Sequence, residues 1–197
     1  MNITRIFTIF FFIVALGLAY YLFSRIKFAI DEEKRIIASE EMVIRKLSLI
    51  REAEISYYSV NGTYTGNWDT LATFMQNGIF FITQKTEEII PLSYGADSII
   101  VTIDTLGTVG VFDSMFNETK YPNLNLANLK YVPGTENTAE FDLFVDEIIK
   151  GGVKIGVVEV RDTAPVNPGR KESSEARNKK PLRFGSRTDV TTAGNWE

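Results

Sequence analysis

The side chains that could do chemistry here are carboxylates, hydroxyls and amines, because the 197 residues include no histidine and no cysteine. That absence removes Ser-His-Asp and Cys-His nucleophile systems, zinc sites of the His/Cys kind, disulfides and histidine phosphotransfer. A carboxylate pair, a Ser-Lys dyad or an oxygen-ligand cation site is what remains. Asp104, Asp113 and Glu118 follow one another closely, yet their spacing matches no cation-binding loop and they read as surface acids. Ser173 and Ser174 have lysines nearby, in a stretch too charged to desolvate an amine, which argues against a dyad. No P-loop, dinucleotide fingerprint or EF-hand is present. The expectation is therefore a chain that is not an enzyme and uses no cofactor and no metal. An enzyme working through carboxylates is the remote alternative.

One acid stands in an unusual place, Glu54, and the element that carries it organises the rest of the chain. That element begins as an anchor, residues 1–30. Residues 6–23 carry no charge and are built from side chains such as Ile6, Phe10, Phe12, Ile13, Leu16, Leu22 and Phe23. Eighteen helical residues rise about 27 Å, close to the hydrocarbon thickness of a bilayer, and membrane lipid is the first expected partner. Tyr20 and Tyr21 suit the interface. A cleaved signal, with Gly17 and Ala19 ahead of Tyr20, is the competing reading. The apolar run continues through Tyr21, Leu22 and Phe23, so an uncleaved signal anchor is favoured.

Orientation rests on two opposed arguments. Arg5 and the α-amine stand at one end, against Arg25, Lys27, Lys34 and Arg35 at the other, and this count favours a cytoplasmic domain. A very short N-terminal tail held inside favours the opposite. The expectation adopted is a single-pass protein of a bacterial inner membrane, N-terminus in, with a periplasmic domain.

Beyond Glu32 the apolar residues recur at helical spacing. Ile36, Val43, Leu47, Ile50 and Tyr58 form a stripe, flanked by Ile37, Ile44 and Ile55, with Glu41, Arg45, Ser48 and Glu52 opposite. No proline interrupts residues 4–61, so anchor and stripe read as one rod of roughly 58 residues, about 85 Å long. Asn61-Gly62 is a C-terminal cap signal. The stripe packs either on the chain's own domain or against neighbouring subunits. Glu54 lies within it, where a carboxylate must find a partner or reach solvent, and an exposed or tyrosine-bonded side chain is expected.

Residues 31–161 are expected to form an α+β domain, the long helix and a short one packed on a small antiparallel sheet. Asn67 caps a short helix over 68–77, closed by Gly78. Residues 79–83 are ambiguous between strand and helix. Residues 98–104 alternate like a strand, and Leu106-Gly107 is expected to turn them into a second strand over 108–112. Further strands are expected over 129–132, 139–145 and 153–160, with Pro133-Gly134 and Gly151-Gly152 as breaks.

These features carry a resemblance. An apolar helix running unbroken into an amphipathic half on a small sheet resembles type IV pilins and pseudopilins. So does the local text: Ile50-Arg51-Glu52-Ala53, Tyr57-Tyr58, Asn61-Gly62-Thr63-Tyr64 and Trp68-Asp69-Thr70-Leu71. It covers about forty residues. The resemblance implies a structural or assembly role in an envelope machine, with membrane or envelope proteins as partners, copies of the same chain among them. The chain departs from that family in two places: Gly17 lies mid-segment, and no acid precedes Asp31. Prepilin processing and the usual subunit-register salt bridge are therefore not implied. The whole chain, with its ending Ala193-Gly194-Asn195-Trp196-Glu197, also resembles single-pass membrane proteins of Bacteroidota of uncharacterised activity.

Charge is unevenly placed. Residues 161–187 carry 8 Lys/Arg and 3 Asp/Glu, a net +5, and the chain total is −4, which leaves −9 for the remainder. A domain this acidic is not expected to bind nucleic acid. Residues 162–181 read as an exposed basic, Pro-rich linker that could touch anionic lipid or an acidic partner. Residues 182–197 form a tail in which Leu182, Phe184 and Val190 could make a short return. Trp196 is its candidate docking residue, against the alternative of a tail that packs on its own domain.

Overall fold

In a computed structural model, residues 3–91, 97–171 and 180–197 are described, apart from the side chains of residues 4–6, 91 and 97. The helix-favouring, proline-free start of the chain gives one continuous helix, α1 (Ile3–Asn61), of 59 residues, about 88 Å long. It ends where expected. Gly62 takes φ +75° and its amide donates to Tyr58 O at 2.8 Å, a left-handed stop that glycine adopts without a Cβ penalty.

The short helix α2 (Trp68–Asn77) also starts as its sequence dictates, with Asn67 Oδ1 accepting from the amides of Asp69 and Thr70. Leu71 and Met75 are its buried face. Next come two long strands, β1 (Ile79–Pro91) and β2 (Asp97–Gly110), paired antiparallel along their whole length as a two-stranded sheet. Residues 79–83 are thus strand, and the expected turn at Leu106-Gly107 is wrong. Ile82 faces Gly107 while Thr83 faces Thr105, so Leu106 is the extra residue of a β-bulge. A glycine inside a strand marks a bulge as readily as a turn. Residues 111–115 are helix α3 (Val111–Met115), entered through Gly110, and so are not the strand expected there.

A second sheet holds three strands in the order β3 (Asp142–Lys150), β4 (Val153–Arg161) and β5 (Arg183–Gly185), all antiparallel. Gly151 and Gly152, at φ +62° and +82°, are the two-residue turn between β3 and β4. Strand β3 starts three residues later than expected and extends further. Residues 129–132 make only a bridge, Tyr131 with Glu140, where a strand was expected. Pro133 lacks an amide, and Gly134, Glu136 and Asn137 take positive φ, which curls the chain before a ladder can grow.

The architecture is α+β, with two small sheets in place of the single one expected. One core joins them: Val43, Leu47 and Ile50 from α1, Leu71 and Met75 from α2, Val111 and Phe116, then Val158, Val160, Leu182 and Phe184.

Candidate functional site

Along α1 the anchor side chains Phe10, Phe12, Ile13, Leu16, Leu22 and Phe23 are all exposed, and the side chain of Ile6 lies outside the described residues. One window near the start of the helix is long and apolar enough to cross a membrane. Beyond the window α1 carries charges, is largely exposed up to Ala38 and is domain-bound from Ser39 on, and a bilayer accommodates only the first part of an 88 Å rod.

The stripe meets the chain's own domain. Val43, Leu47 and Ile50 are buried beneath it, Ile36 is half-buried, and Tyr58 stands at the margin, 37% exposed. Ile37 and Ile55 face outwards. Glu52 is not on a bare solvent face: it accepts from Lys120 Nζ at 2.7 Å and from Tyr121 Oη at 3.0 Å. Lys46 was not singled out in the sequence, yet its Nζ donates to the carbonyls of Asn128 and Tyr131 at 2.5 and 2.7 Å, pinning that loop to the helix. Burial lowers the pKa of Lys46. Its signal, a lone lysine beside an apolar stripe, has no distinguishing mark in sequence.

Glu54 is 0% exposed, which corrects the expectation of an exposed or tyrosine-bonded carboxyl. The chain folds back after Gly62 and presents the Thr65 amide to Glu54 Oε2 at 3.1 Å. The other oxygen, Oε1, is buried without a hydrogen-bond partner. Burial pushes the carboxyl up to about 8, with the Thr65 amide opposing the shift. Tyr58 and Tyr64 stack beside it, ring centres 4.6 Å apart. This is a buried acid held largely neutral near pH 7, and among the described residues no second acid acts on it as the partner of a general acid/base pair.

Four described arginines of the basic segment, Arg161, Arg170, Arg183 and Arg187, pair with acids of the chain itself. Arg170, expected in an exposed linker, is buried and donates to Glu40 Oε1 at 2.7 Å, with Asn167 Nδ2 on the same oxygen at 2.6 Å. Asp162 is also buried. Glu159, 3% exposed, accepts from Arg183 Nη1 at 2.7 Å and Arg187 Nε at 2.8 Å. Asp142 accepts from Arg187 and Arg161. Lys171 and Lys180 of the same stretch are exposed. Ser173 and Ser174 lie outside the described residues.

The tail is part of the fold. Leu182 and Phe184 are buried, β5 extends the three-stranded sheet, and Asn195 Nδ2 donates to Pro181 O at 2.8 Å. Trp196 packs on the core with Arg51 over its ring at 5.7 Å, and Glu197 pairs with Arg51 at 2.5 Å. Trp196 therefore docks on the chain's own helix.

Asp104 sits on β2 opposite Gln84, Asp113 in α3 and Glu118 after it. Among the described residues no three potential ligands converge on a metal site. A cleft of about 550 Å³ beside Arg161, Thr163, Pro165 and Lys171 has Asp162 as the one acid among the described residues of its lining. That acid already accepts from the Ala164 amide at 2.9 Å. No protein-family model, curated protein or solved structure matches the chain. The fold is that of a long apolar N-terminal helix carrying small sheets on its outer half, an arrangement compatible with a pilin-like architecture.

Proposed function

We propose that this chain is a non-catalytic, single-pass, membrane-anchored structural or assembly component, pilin- or pseudopilin-like, of a bacterial envelope machine. The anchor sits in the inner membrane and the acidic domain works in the periplasm, engaging other envelope proteins, copies of itself among them. One observation carries this reading. A single unbroken helix of 59 residues presents bare apolar side chains in its first part and serves as the core of the domain in its second. The absence of histidine and cysteine supports a role in architecture over catalysis, and the neighbouring acids Asp142 and Glu159 are both held by Arg187.

A second reading, a monomeric membrane-tethered binding or scaffold domain, is favoured by the burial of Val43, Leu47 and Ile50 under their own domain. That contact leaves the stripe's centre unavailable to neighbours. The test of location is a reporter fusion after Glu197 in a bacterial host. Alkaline phosphatase fused there is expected to be active and β-galactosidase inactive. The reverse pattern overturns the envelope reading.

A further inference from the structure

Beyond the exposed anchor of α1, the ribbon of β1 and β2 is poorly covered. Both strands are edges, since the sheet has only two, and among the described residues no other strand pairs with either. Phe81, Ile89, Ile99, Val101 and Ile103 are exposed, Ile103 at 65%. Cross-strand register puts Ile89 opposite Ile99, Glu87 opposite Val101 and Lys85 opposite Ile103, so these apolar groups share one face. A two-stranded ribbon is marginal in water by itself, and a long apolar edge is a template for another strand. The charges on the two edges differ. Strand β2 carries acids only, Asp97 and Asp104, whereas β1 carries Lys85, Glu87 and Glu88.

We infer that the β1 edge pairs with β1 of a second copy of this chain, antiparallel, about a two-fold axis through Thr86. In that register Lys85 of each copy lies opposite Glu87 of the other. Gln84 meets Glu88, and Ile82 meets Ile90, each pair twice. A two-fold axis perpendicular to the sheet keeps each residue on its own face, so the register moves only in steps of two. The neighbouring register centred on Lys85 puts lysine against lysine, and the one centred on Glu87 puts glutamate against glutamate. Like charges directly opposite destabilise a pair and unlike charges support it. The β1 sequence thus favours this alignment over the registers one step to either side. Within one chain Lys85 and Glu87 pair at 2.5 Å, both largely exposed, and the two-fold contact exchanges this surface pair for two across the edge. The result is a four-stranded sheet, β2-β1-β1-β2, which leaves only the β2 edges open. The inference goes beyond the assignment above and holds whichever side of the membrane the domain occupies.

Because the chain has no cysteine, single cysteines report cleanly. Directly opposed residues of an antiparallel pair have Cα atoms about 4.5–5.5 Å apart, within disulfide reach. Full-length Thr86→Cys in nanodiscs, mildly oxidised, is expected to give a disulfide dimer, whereas Thr102→Cys, opposite Thr86 on β2, stays monomeric. Adding Lys85→Glu or Glu87→Lys to Thr86→Cys should slow crosslinking about tenfold each. Mixing the two charge variants should restore it as a heterodimer, and so should the double swap in one chain. Equal crosslinking at positions 86 and 102, no dimer at all, or indifference to the charge swaps overturns the proposal.

Discussion

Replacing Glu54 by glutamine should change how stability responds to pH while leaving the fold intact. The carboxyl is buried and lifted from the ordinary 4.5 to about 8, so the folded chain keeps a proton that the unfolded chain releases. A raised carboxyl contributes no penalty below about pH 4.5. Stability then falls as pH rises through the window up to about 8, and levels off above it. The slope inside the window is about 1.4 kcal/mol per pH unit, which accumulates to about 5 kcal/mol at most. The amide of Glu54→Gln has nearly the carboxyl's shape, its oxygen can accept from the Thr65 amide, and it does not titrate. The variant should therefore match the parent near pH 5 and exceed it increasingly towards pH 8.5. At about 2–4 °C per kcal/mol, the gain is about 10–20 °C in Tm. Thermal melts of the full chain in detergent, followed by Trp68 and Trp196 on the core, measure it. Parent and variant curves that stay parallel from pH 5 to 8.5 would refute the reasoning, because they would mean that water reaches the carboxyl.

Two further substitutions probe what holds the tail. Gly185 has φ +76°, and a Cβ there would stand 1.9 Å from Val158 O, so Gly185→Ala should cost more than about 2 kcal/mol in urea unfolding. Arg170→Ala removes the buried guanidinium that donates to Glu40 Oε1 at 2.7 Å and to the Lys180 carbonyl at 3.0 Å. A loss of about 2–4 kcal/mol is expected, with faster proteolysis around residues 164–171 as the local readout.

Legibility in the sequence followed the range of the interactions. Both major helices were readable because their signals are local: a 3.6-residue stripe, Asn67 as a cap and Gly62 as a stop. The hairpin turn of β3 and β4 was equally local, two adjacent glycines. Residues 98–104 of the ribbon were legible by their alternation, whereas β1 beyond Thr83 was missed because it is exposed on both faces, and Gly107 mimicked a turn. Residues 162–171 and 180–197 read as linker and loose tail because what orders them is distant. Arg170 reaches Glu40 across 130 positions, and Arg183 and Arg187 converge on Glu159 across 24 and 28. Such pairs leave no periodic trace. The burial of Glu54 belongs to the same class, since it depends on the chain folding back at Thr65 to offer an amide.

The continuity of α1 has a mechanical consequence. From Asp31 to Asn61 the helix runs about 45 Å with no glycine or proline at which to bend. The domain is packed along the last half of that length, so shaft and load move as one body. With the apolar window seated in a bilayer, a 10° change in tilt there swings the far end sideways by about 8 Å, by lever geometry on a helix of standard rise. Bilayer thickness and lateral crowding, which set the tilt, are thereby converted into the position of an acidic domain some way off the surface.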